Sequence, residues 1–148
     1  MSAGRPRAAA AIDAARARLA ARALEGALDR DPTIRERYDE LGLRRLLNDA
    51  EVLLGRVAVA VASNDPGVVA SWAEQVPPVY RRRAVPMDDL VAIAEGCRHA
   101  VEAILAPGDE AVAVAALDEA MRVFRWHRRL GGDARRRNPI LDAIYKGA

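Results

Sequence analysis

The chain has 148 residues, of which 51% are hydrophobic but only 4% aromatic; 30% are charged, with a formal net charge of +2. That length suits one helical core, and so small a charge excess argues against a broad basic field for nucleic acid. No apolar run approaches the roughly 20 residues of a membrane span, and the single Cys97 cannot close an internal disulfide or build a cysteine-based zinc site, so a cytoplasmic location is expected.

In chain order, Arg7 to Asp29 is dominated by alanine, the best helix former and the weakest core filler. Its large apolar residues, Ile12, Leu19, Leu24 and Leu28, make a thin stripe. The expectation is a peripheral helix at the edge of the bundle, with Leu19 and Leu24 offered to a partner chain. Asp31-Pro32 then starts a short helix, Thr33 to Leu41, and Gly42 allows a turn. The strongest periodicity follows. Leu43, Leu46, Leu47, Ala50, Leu53, Leu54, Val57, Ala58 and Val61 recur at i, i+3, i+4, i+7, which predicts a core helix over Leu43 to Ala62.

Ser63 to Gly67 is a cluster of turn residues with Asp65 as cap and Pro66 in a first helical turn. The next helix carries Val68, Val69 and Trp72 to about Gln75, where Pro77-Pro78 must break it. Pro86, Asp88 and Asp89 open a second core helix through Leu90, Ile93, Ala94, Cys97, Val101, Ile104 and Leu105. A last long helix follows Pro107-Gly108, with Val112, Ala113, Ala116, Leu117, Ala120, Met121, Val123 and Phe124 inward, and is stopped by Gly131-Gly132. Residues 1–132 therefore read as one bundle domain and 133–148 as a basic linker and amphipathic tail. In that tail Ile140, Leu141, Ile144 and Tyr145 are too apolar to stay in water, so they are expected to dock on a partner or on the bundle itself. The fold class is all-α: a five- or six-helix antiparallel bundle with a short C-terminal docking helix, its inner layer formed by Leu43 to Ala62, Leu90 to Leu105 and Val112 to Phe124.

Groups for bond-making chemistry are scarce. Cys97 and His99, two apart, fall on different helix faces, so they do not form a nucleophilic pair, and Cys97 reads as a core residue. Glu95, His99 and Glu102 form a solvated edge with Arg98 rather than a di-iron Glu-x-x-His site; no metal is expected. The Gly131-Gly132 pair lacks the preceding strand of a phosphate loop. Trp72 is either an ordinary core tryptophan or the wall of a pocket beside the proline break, with Val76, Tyr80 and His99 as further lining. Such a pocket would take an apolar ligand, with haem, bilin or cobalamin the candidates; no cofactor is otherwise called for. Arg122, Arg125, Arg128, Arg129, Arg135, Arg136 and Arg137 gather around Trp126 and His127. That cluster is either a nucleic-acid patch or a salt-bridged face, and Trp126 is a candidate partner contact.

Leu46-Leu47-Asn48-Asp49-Ala50, Ser63-Asn64-Asp65-Pro66, Trp72 and Arg83-Ala84-Val85-Pro86 with Asp89-Leu90 together resemble a known helical module. The stretch, roughly Leu43 to Leu105, is similar to the N-terminal bundle domains of bacterial stress-response co-antagonist regulators and to the helical caps that precede cobalamin-binding domains in sensory regulators. In those, an Asn-Asp-Pro style turn leads into a Trp-bearing helix, and an R-G-V-P style turn starts the next. The resemblance implies a sensory or protein-interaction role, frequent dimerisation and no catalysis in this module. The cobalamin-ligand motif Asp-x-His-x-x-Gly is missing, as is a Glu-His pair after Trp72. The expected function is thus a non-catalytic interaction or sensory bundle that self-associates or docks on a larger assembly. The alternatives are a ligand sensor at Trp72 and a nucleic-acid binder at Arg122–Arg137.

Overall fold

The computed structural model describes residues 3–131, and all regular structure among them is helical. The expected all-α bundle is what the chain forms. Its helices are α1 (Pro6–Arg30), α2 (Thr33–Arg37), α3 (Glu40–Ser63), α4 (Gly67–Gln75), α5 (Pro77–Arg82), α6 (Met87–Glu102) and α7 (Pro107–Gly131). Two of them are short, α2 with 5 residues and α5 with 6, and α5 is the piece that the sequence does not set apart.

Local chemistry sets the boundaries. Asp39 is extended and its carboxylate accepts from the Gly42 amide at 2.7 Å, capping α3. The second helix therefore stops at Arg37 instead of reaching Leu41, and Gly42 lies in the first turn of α3 rather than in a turn between helices. At the other end of α3, Asn64 takes a left-handed conformation with φ 53°, Asp65 N donates to Ala60 O at 2.8 Å and Asn64 N to Val61 O at 3.2 Å. This pair of bonds is the Schellman closure. The same closure ends α5: Val85 N donates to Tyr80 O at 2.9 Å and Ala84 N to Arg81 O at 3.0 Å, with Ala84 at φ 57°. Asp65 then accepts from Gly67 N at 3.0 Å to start α4, and the double proline separates α4 from α5 as expected.

The four long helices make the bundle. Arg5 N donates to Val61 O at 3.1 Å, so the start of α1 meets the close of α3. Arg5 also pairs with Asp109 at 2.9 Å, which brings the start of α7 to the same end. At the opposite end Arg37 reaches Asp89 and Arg128 reaches Asp88, joining the start of α6 to α2 and to the close of α7. Neighbouring long helices are therefore antiparallel, with α3 parallel to α6 across the bundle. Two parallel helices need a return segment between them, and α4, packed against both α3 and α7, supplies it.

The first helix is not peripheral, which corrects the sequence expectation. α1 packs most extensively of all, against α3 and α6, and Ile12, Leu19, Ala20, Ala23 and Ala27 are buried. Alanine allows this, because a helix without bulky side chains approaches its neighbours closely. Gly96 on α6 faces the Ala23 backbone, and a Cβ there would lie 2.2 Å from the Ala23 carbonyl oxygen. The inner layer thus contains α1 beside α3, α6 and α7.

Candidate interaction surface

Two buried carboxylates tie the short helices into the bundle, one on α6 and one on α3. Asp89, fully buried in the first turn of α6, accepts from Arg37 at 2.5 and 3.3 Å and from the Tyr38 hydroxyl at 2.7 Å. Asp49, 8% exposed on α3, takes both Arg83 nitrogens at 2.9 Å. The Arg83 guanidinium also stands 5.2 Å over the Tyr80 ring, and its hydrogen bond to Asp49 raises its pKa. Burial, reinforced by Asp49, pushes the Tyr80 phenol well above its ordinary value. A buried carboxylate with a bidentate arginine is satisfied. The first pair joins α2 to α6 and the second joins α3 to the close of α5; sequence reasoning missed Arg37 and Tyr38, and missed that Asp89, Asp49 and Arg83 are paired.

That brace sets the last turns of α7. Arg81 on α5 donates to the His127 carbonyl at 3.0 Å, and the His127 ring meets Glu74 of α4 at 3.0 Å. Trp126 lies edge-on to His127, with centroids 5.2 Å apart and an interplanar angle of 86°, yet is 49% exposed. An indole packed at its edge and open to water is a large apolar surface that a partner can cover. Around it on α7, Arg122 is held by Glu119 at 2.7 Å and Arg128 by Asp88 at 2.6 Å, while Arg125 and Arg129 are exposed and make no ion pair among the described residues. A salt-bridged face is thus one component of the arginine cluster and unpaired guanidiniums are the other.

The remaining candidates separate. Trp72 is half-buried and meets Phe124 edge-on at 6.4 Å, so its ring is half of an aromatic pair spanning α4 and α7. Val76 packs against the core, Tyr80 is buried beside Asp49 and Arg83, and His99 lies on an exposed edge of α6, 3.7 Å from Glu102. These four are not gathered around one cavity by any of those contacts. Leu19 is 1% exposed and faces the core rather than outward, and Leu24 is partly buried and packed against that core; the small residues around them draw α1 inward. Cys97 is a core residue, and burial pushes its thiol up to about 12. Ile140, Leu141, Ile144 and Tyr145, with Arg135 to Arg137, lie outside the described residues.

Among the described residues no three His, Cys, Asp or Glu side chains are placed to hold a metal ion, and no helix is long and apolar enough to cross a membrane. The class that fold and site define is an antiparallel helical bundle with an exposed aromatic and basic face on its last helix. Neither the known family models nor the curated proteins compared with the chain match it.

Proposed function

We propose that this chain is a non-catalytic interaction bundle that docks on another protein chain through the outer face of α7. The observation that carries this reading is Trp126: one of only two tryptophans, half exposed, and fixed at its edge by His127, which Glu74 holds in turn. Interfaces are enriched in Trp and Arg, and a side chain already held in place loses little entropy on binding. Its arginine neighbours add the charge-assisted contacts that such anchors use.

In-cell photo-crosslinking tests the reading. A photoreactive amino acid at position 129, beside Trp126, is expected to give a discrete adduct, and the same group at Asn48 on the outward side of α3 is not. Equal labelling from both positions, or none from 129, contradicts it.

A further inference from the structure

We infer that the outer face of α7 packs on the same face of a second copy of this chain, the two helices antiparallel and crossing at Arg122. The inference rests on α7 being the docking face and names what docks there. Residues three and four apart on a helix are neighbours on its surface. By that spacing the outward face of α7 divides at Arg122. Its first half holds Ala115, Glu119 and Asp118, the last held by Arg98 of α6 at 3.1 Å but still half exposed, and its second half holds Arg125, Trp126 and Arg129, large or basic.

A two-fold axis makes every contact occur twice, with residue i on j and j on i. Turning one α7 over about Arg122 sets Trp126 opposite Asp118, Arg125 opposite Glu119 and Arg129 opposite the small side chain at Ala115. Both halves of the face are then complemented by the copy. Arg122 meets its counterpart on the axis, but Glu119 already holds each guanidinium at 2.7 and 3.2 Å, so two neutralised pairs meet there instead of two bare cations. The same carboxylates argue against a nucleic-acid backbone, which would run past Glu119 and Asp118 on its way to the arginines. The outward side of α3 does not offer a self-complementary alternative. Its exposed Val52 and Val59 sit with Arg45 and Arg56, and no exposed acid lies between them.

Sedimentation equilibrium of the full chain is expected to show a reversible monomer–dimer equilibrium, weakened at least about thirtyfold by Trp126→Ala. Arg125→Glu, which leaves the Glu119–Arg122 pair intact and sets two carboxylates against each other, is expected to weaken it, and added salt to restore part of that variant's association, which unfolding could not do. Because the one native thiol, Cys97, is fully buried, Arg122→Cys adds an accessible one. Mild oxidation is expected to yield a disulfide-linked dimer from Arg122→Cys and not from Asn48→Cys. A chain that sediments as a monomer at every concentration overturns the inference, as does an Arg125→Glu variant as tight as its parent or equal cross-linking from both cysteines. If position 129 captures a different protein while the chain stays monomeric, the inference falls and the docking face stands; if neither occurs, both fall.

Discussion

At Gly96 one missing methyl group decides how close two helices come. A Cβ there would press on the Ala23 backbone, which has no flexible tip to swing aside. Gly96→Ala is expected to cost about 1–3 kcal/mol, read as a lower urea midpoint with unchanged slope. Gly26→Ala is the control, because its Cβ would meet nothing closer than the Arg30 guanidinium at 3.8 Å. It should stabilise by about 0.5–1 kcal/mol, since alanine suits a helix interior better. Ala84, left-handed at φ 57°, runs the other way. Replacing it with glycine removes a strain of about 1 kcal/mol, less the entropy glycine carries in the unfolded chain, so a gain of a few tenths is expected in thermal melts. Cys97 gives a pH dependence. Its folded pKa lies above the ordinary thiol value, so the unfolded chain releases the proton first and stability falls as pH rises from about 9 towards 12. One proton contributes a slope of about 1.4 kcal/mol per pH unit, and Cys97→Ala should flatten the alkaline limb of a stability–pH curve by that amount.

Helices and their ends differ in how plainly the sequence announces them. The close of α3, both ends of α4 and the start of α6 were legible because Asp65, Pro66, Pro77 and Pro86 act through their own backbone and side chain, within a residue or two, whereas α6 closes at Glu102, short of the expected Leu105. The depth of α1 was not. Counting large apolar residues gives a thin stripe, whereas Ala20, Ala23 and Ala27 bury themselves only because α3 and α6 come close enough to cover them. The Arg37–Asp89 and Arg83–Asp49 pairs were hidden as well, since 52 and 34 residues separate the partners and no local pattern links them. Those pairs give a prediction at the level of elements. Asp89→Ala would take the buried acceptor from Arg37, which keeps Asp31 at 3.4 Å, and from the Tyr38 hydroxyl, and would loosen α2 from α6, at a cost of about 2–3 kcal/mol. Tyr38→Phe should cost only about 1 kcal/mol. Urea titrations of the two variants compare them directly; equal and small losses would mean that the pair does not brace the bundle.

Among the described residues most large apolar side chains are buried, while Trp126, like Leu41, Val59 and Leu130, stays about half exposed, on a helix whose acids precede and whose unpaired arginines follow Arg122. The aromatic and arginine components of this face were readable from sequence, because both lie within the last turns of one helix. Its rigidity was not, since that comes from Glu74 and Arg81 on other helices. The central claim is that another protein chain covers Trp126 when the molecule works. Labelling with 5-fluorotryptophan gives two fluorine resonances, one for Trp126 and one for the half-buried Trp72 as an internal reference. In dilute purified protein the Trp126 signal should move strongly between light and heavy water. Inside the cell that response should be lost or the line broadened, with Trp72 much less affected. A Trp126 resonance as open to solvent in the cell as in dilute solution would contradict the account.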